Sequence, residues 1–355
     1  MLGSSRGQTS RREFMALAAA GLAAPAPQGR IDCQSHLFVP ELLAWMEKRR
    51  TPPYVYRKGE DRYVVVGEWE RRILPNHTDV AAKLAAMDSA GIELAALSIN
   101  DPGPELFGKD AVAIARMVND YIDSVARRHP RRFFGLAALP MQDNDSTLAE
   151  LDRCIGKPGL KGILLYSNLN GRFPDEPQFR PLFETAARRN IPILLHPAYP
   201  VTHEATKGYS MAAGLGLMFD TTIALTRLIL AGVLERHPDL KLVCPHVGGA
   251  LPYLIGRIDH QTQVLKRGAE NIRKPPSEYL KQVWLDTVSP IAQAIRYGID
   301  FAGVDKMLYA SDHPWVDPSL IAGLVSSLKL SPADERKVFA ENARRLFGLS
   351  SRAQS

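Results

Sequence analysis

Cysteine is scarce in this chain: Cys33, Cys154 and Cys244 are the three among 355 residues. An odd count without metal-ligand spacing excludes a disulfide framework and a thiolate-held metal, and it is compatible with an oxidising destination. Strand alternation turns Cys33 away from Gln34 and His36, whereas Cys244 shares the face of His246, so a Cys33–Cys244 bridge is not expected and all three read as small core residues. A glycine-rich phosphate loop after the first apolar run is missing, which counts against a doubly wound nucleotide-binding sheet. No basic stripe is interleaved with aromatics, so a net charge of +6 and a pI near 9.2 do not point to nucleic acid. Much of that excess lies in the first thirty residues and on surface helices, and what remains favours an anionic small molecule.

The N-terminus is a processing segment. Ser10-Arg11-Arg12-Glu13-Phe14-Met15 precedes the apolar stretch ALAAAGLAAPAP, with small residues suited to cleavage near Ala24 or Ala26. Residues 1–29 therefore read as a twin-arginine signal peptide, too short to anchor stably in a bilayer, and the expected location is periplasmic or secreted. That route carries folded proteins, so a cofactor can be loaded before export.

Residues 30–350 read as one domain. Eight short apolar runs recur along it: 31–36 (IDCQSH), 92–100, 132–140, 160–168, 191–197, 240–246, 283–289 and 306–312. Helical patterns such as 111–128, 146–154, 178–189 and 221–236 separate them. Strands apolar nearly throughout are buried on both faces, and their alternation with helices argues for a parallel sheet. Eight units predict an α/β chain folded as a (β/α)8 TIM barrel, which commonly takes about 250 residues plus insertions.

The polar residues of these runs stand at their carboxyl ends, where such a barrel keeps its chemistry. They are Gln34 with His36, then His196, His246 and Asp312. Alternation puts Asp32, Gln34 and His36 on one face, with His36 nearest the carboxyl end. Two imidazoles (His36, His196), the Asp312 carboxylate and the amide oxygen of Gln34 could converge on one divalent ion. With one carboxylate among neutral donors, the ion keeps net positive charge. It could then hold a substrate carboxylate or lower the pKa of a water, which leads to decarboxylation or hydrolysis respectively.

At these residues the chain resembles the amidohydrolase superfamily, in the family 2 branch that includes aminocarboxymuconate-semialdehyde decarboxylase and aromatic-acid decarboxylases. The resemblance runs from Ile31 to Leu349 and is carried by IDCQSH, RRFFGLAALPMQD, LKGILLYSN, LLHP, LKLVCPHVGGALPYLIGRID, YASDHPW and ENARRLFGL. It implies one divalent metal, zinc first and manganese second, held by Gln34, His36, His196 and Asp312, with His246 and Asp312 catalytic. The family's first His-x-His position is occupied here by Gln34, a neutral and weaker donor. A small carboxylated, aromatic substrate, a homodimer, and activity as a carboxy-lyase or as a hydrolase of a lactone, ester, amide or C–C bond are the expectations that follow. A metal-poor barrel with a binding role is the alternative of a different class.

Insertions are expected after strands 1 and 5. Residues 37–79 read as a hairpin-bearing excursion and 198–219 as a glycine-bearing lid loop. Tyr54, Tyr56, Trp69, Tyr199, Met218 and Trp315 are candidates for flat walls around an aromatic substrate. Arg257 is expected in an ion pair of the helix layer, and Asp286 either anchors loops at the barrel mouth or meets substrate. His129 and His237, each before a proline, read as helix ends, and His77, His203, His260 and His313 have no supporting context.

Overall fold

The computed structural model describes residues 29–350, so the proposed signal segment lies outside the described residues except for Gly29. Among the described residues eleven strands are formed: β1 (Arg30–Leu37), β2 (Tyr54–Lys58), β3 (Asp61–Val66), β4 (Trp69–Ile73), β5 (Ile92–Ile99), β6 (Phe133–Ala138), β7 (Leu160–Tyr166), β8 (Ile193–His196), β9 (Leu242–Cys244), β10 (Trp284–Asp286) and β11 (Met307–Leu308). Eight of them form one parallel sheet in the order β1-β5-β6-β7-β8-β9-β10-β11. The sheet closes on itself where Cys33 N–H donates to Tyr309 O at 2.9 Å and Asp312 N–H to Gln34 O at 3.0 Å. The eight-stranded barrel is the expected one.

The last three barrel strands are shorter than the apolar runs that carry them. The runs 240–246 and 306–312 end in His246 and Asp312, which turn out of strand conformation with φ of 55° and 61°. A left-handed residue ends strand pairing and re-aims its side chain. The run therefore contains both the strand and the functional turn after it.

Helices cover the outside of the barrel with single apolar faces. Ala111–Arg128 buries Ile114, Ala115, Val118, Ile122 and Val125 at helical spacing while its arginines stay outside. Asp143 caps Asn144–Ile155 by accepting from Ser146 N–H at 2.7 Å. All three cysteines are buried and unbridged.

Between β1 and β5 the chain adds a three-stranded antiparallel sheet, β2-β3-β4. Its two-residue turns, Gly59-Glu60 and Gly67-Glu68, begin with glycines at φ 63° and 58°. This is the backbone that matches hairpin twist. The segment expected as a loop after β8 is partly helical. A π turn (Ala212–Gly216) runs directly into Leu217–Leu230. The helix thus starts well before residue 221, although the buried face of Leu217–Leu230 begins only at Asp220. Among the described residues, Ala212–Leu230 is the one helix long and apolar enough to cross a membrane, and here it packs on the barrel.

Candidate active site

His36, at the end of β1, is fully buried. Its Nδ1 lies 2.9 Å from Ser98 Oγ, and its Nε2 lies 3.1 Å from Asp312 Oδ1. His196, ending β8, donates from Nδ1 to the carbonyl of Pro197 at 2.8 Å, which leaves a lone pair on Nε2. That bare nitrogen sits 3.1 Å from His36 Nε2. Burial, then the neighbouring His36, holds the His196 imidazole well below its ordinary pKa, so it is neutral. His36, His196 and Asp312 offer ligand atoms within 4.8 Å of one another. Two ring nitrogens and a carboxylate oxygen crowded this way suit a divalent cation, which turns their mutual repulsion into attraction.

Gln34 is the fourth expected donor, and the structure places it at the cluster with its nitrogen turned inward. Nε2 donates to Asp312 Oδ1 at 2.9 Å, and Oε1 is buried without a partner. His246 approaches the other carboxylate oxygen, Nε2 to Asp312 Oδ2 at 3.7 Å. Burial pushes the Asp312 carboxyl up, but the nearby His246 and the hydrogen-bonded His36 outweigh it and hold it well below the usual range. For His246 burial pulls down, while Asp312 and Asp286 push up and prevail. One carboxylate therefore links the metal-ligand cluster to a readily protonated imidazole.

Several supporting residues were not singled out as functional in the sequence. Lys83 is fully buried and donates from Nζ to Ser35 Oγ at 2.7 Å and to His313 Nδ1 at 2.8 Å, tying the ends of β1 and the β11 run together from behind. Burial lowers its pKa to about 7. Asp32 shares the face of Gln34 and His36 as expected. It accepts from Ser311 N–H at 3.0 Å and Ser311 Oγ–H at 2.5 Å, so it seals the barrel. Asp220 is buried and bonded to Ser167, Asn168 and Val201 N–H, which pins the chain after β8. A polar residue on a helix looks solvated until the topology shows what it meets. Asp32, on the strand face of Gln34 and His36, carried a legible signal, and Ser98 near the end of β5 stands where one could have been sought.

The cluster opens into a cavity of about 810 Å³. His196, His246 and Asp312 line it, and Trp69, Tyr199, Met218 and Trp315 provide flat or apolar walls. Tyr54 and Tyr56 are absent from its lining. Tyr56 instead stacks on Tyr63 and donates to Glu70 at 2.6 Å on the outer hairpin face. Arg71, from β4, also lines the cavity. It holds Asp101 with two bonds of 2.7 and 2.8 Å and lies 4.1 Å over the Trp69 ring. Arg257 lies on the helix Leu251–Asp259 as expected, but it is exposed and forms no ion pair among the described residues, so the expected ion pair is corrected. Asp286 acts as an anchor, accepting from Val247 and Val288 N–H.

The model of one family, Amidohydrolase, matches residues 31–349, nearly all of the barrel. The chain belongs to the amidohydrolase family. Amidohydrolase relatives include the 2-amino-3-carboxymuconate-6-semialdehyde decarboxylase of Dictyostelium discoideum, 30% identical over 296 residues that cover 81% of this chain and 82% of that one. The apo structure of Metarhizium anisopliae IDCase superposes with a TM-score of 0.84 at 26% identity, covering 92% of this chain and 98% of the other. A dihydroxybenzoic acid decarboxylase from Polaromonas, solved with manganese and the inhibitor 2-nitroresorcinol, gives 0.76 at 26% identity, over 91% and 97% of the two chains. This amidohydrolase is a metal-dependent enzyme, a carboxy-lyase or hydrolase with one divalent ion and a small-molecule substrate.

Proposed function

We propose that this protein is a manganese-dependent, non-oxidative decarboxylase of a hydroxylated aromatic acid, exported by the twin-arginine route. The observation that carries the reading is the Asp312 carboxylate, placed between the His36–His196 ligand pair and His246 on the floor of an aromatic-walled cavity. The cavity's size and mostly apolar lining suit a single-ring acid.

His36 Nε2, His196 Nε2 and an oxygen of Asp312 would hold the ion, and a flip of the Gln34 amide, whose oxygen is buried without a partner, would supply the fourth donor. When bound, the ion supplies positive charge that fixes the substrate's acid group and an adjacent oxygen. Manganese is favoured over zinc by the oxygen donors in this set and by the ion found in the Polaromonas relative.

The chain's own groups then divide the work. Trp69, Trp315 and Met218 pack the ring and exclude water. Asp312 stays ionised, so it keeps the positive charge on His246 rather than delivering a proton itself. His246 Nε2 gives its proton to the ring carbon that bears the carboxylate. The C–C bonding pair then returns to the ring as carbon dioxide leaves, and His246 is reprotonated from solvent. A hydroxyl next to the carboxylate raises electron density at that carbon, which is why hydroxylated acids are the expected class.

Turnover in D2O tests this reading. Manganese-loaded protein acting on 2,6-dihydroxybenzoate should leave one deuterium at the carbon that lost the carboxyl group, visible by NMR, and H246N should not. Release of a product without loss of carbon dioxide would reject it. Export is checked by locating the cleaved N-terminus in the periplasm, and a homodimer by mass in solution.

A further inference from the structure

The turn that presents His246 is built from an unusual backbone. Four consecutive residues, His246, Val247, Gly248 and Gly249, have φ of 55°, 57°, 80° and 63°. Glycine takes such angles freely, but histidine and above all a β-branched valine resist them. A backbone like this persists only where its surroundings impose it, and such positions cluster at functional sites.

The imposing contacts are visible. Gly298 makes room for the valine, since a Cβ there would stand 2.5 Å from Val247 Cγ1. Gly249 lies so close to the helix Leu217–Leu230 that a Cβ would meet Thr222 Oγ1 at 2.6 Å and Met218 O at 2.9 Å. Backbone bonds from Gly248 N–H to Pro245 O and from Gly249 N–H to His246 O close the turn, and the side-chain contact to Val247 N–H comes from Asp286, fully buried at the end of β10. Its Oδ1 accepts from Val247 N–H at 3.3 Å and from Val288 N–H at 3.0 Å. Asp286 belongs neither to the metal-ligand cluster nor to the cavity lining. A buried carboxylate kept in a barrel mouth without reaching substrate acts through what it holds, and it holds the residue after His246.

We propose that Asp286 is the positioning residue for His246: by accepting the Val247 N–H it keeps the left-handed turn that aims the imbedded imidazole at Asp312 and the cavity. The inference rests on the decarboxylase reading, in which His246 carries the proton. One acceptor oxygen suffices for this role, so an amide can replace the carboxylate and a methyl group cannot. The carboxylate's other oxygen, Oδ2, has no partner to lose.

Steady-state kinetics and manganese content of D286A, D286N and H246N, each as full-length metal-loaded protein with 2,6-dihydroxybenzoate, test it. For D286A the expected result is a kcat lowered by about 100-fold or more, with KM within about threefold and metal stoichiometry unchanged. D286N should stay within about tenfold of the original kcat, because its amide oxygen still accepts from Val247. A D286A enzyme with unchanged kcat overturns the inference. So does a D286N enzyme as poor as D286A, which would assign the effect to charge. Loss of metal in step with loss of rate in D286A overturns it as well. Should D286A fail to fold, D286N decides alone: retained kcat supports the role and a hundredfold loss at full metal loading contradicts it. The unmutated enzyme and H246N separate the levels. An unmutated, manganese-loaded enzyme that releases no carbon dioxide removes the decarboxylase reading itself, an active H246N removes the proton-donor role of His246 and the inference with it, and an inactive H246N beside an active D286A removes only the role of Asp286.

Discussion

His196 donates its Nδ1 proton to a backbone carbonyl and so turns an unprotonated nitrogen toward His36. Removing that nitrogen leaves His36 and Asp312 with only the neutral, weaker oxygen of Gln34 beside them, too poor a set for tight binding. H196A should therefore fall from about one metal ion per chain to below about a tenth, read by elemental analysis of dialysed protein. H246N should behave in the opposite way, keeping its metal while kcat falls by about 10² to 10⁴. The five polar residues of this centre were legible because each ends an apolar run, and alternation along β1 already put Gln34 and His36 on one face. The direction of the Gln34 amide was not legible. It depends on Asp312, distant in sequence, offering an oxygen to its nitrogen. Lys83 was hidden for a related reason: within a helix its charge reads as solvated, and only barrel closure brings Ser35 and His313 to it.

At the scale of elements, the turns after β9 and at the β3-β4 hairpin carry backbone that only glycine adopts cheaply. Gly249→Ala would combine φ of 63° with a contact at 2.6 Å to Thr222 Oγ1. It should destabilise the fold by about 1–3 kcal/mol, measured by urea unfolding. At the hairpin, Gly67 has φ 58° and a Cβ there would lie 2.5 Å from the Tyr199 ring. Gly67→Ala displaces the hairpin tip from Tyr199 and should raise KM more than it lowers kcat, since the metal ligands lie on other strands. The hairpin itself was readable from aromatic and β-branched alternation. The helical start at Ala212 was less so, because Gly214 and Gly216 normally break helices and read as loop in the sequence.

The barrel as a whole was legible from its rhythm, since eight buried strands separated by helices leave few topologies. What rhythm cannot show is which charges the closed barrel buries. Glu105 is one of these, and burial pushes its carboxyl up to about 8 from an ordinary value of 4.5. The folded state thus holds a proton that the unfolded chain has released across this window. Stability from this group is full below pH 4.5 and is lost as pH rises toward 8. Glu105→Gln should flatten the fall in urea midpoint between pH 5 and pH 8, and an unchanged slope would contradict the assignment. The most direct test of the central claim is carbon dioxide release from 2,6-dihydroxybenzoate by the mature protein, measured after chelation and again after manganese is restored. Release that vanishes with chelator and returns with manganese is the predicted result. No release with manganese bound, together with hydrolysis of lactones or esters by the same preparation, would contradict it.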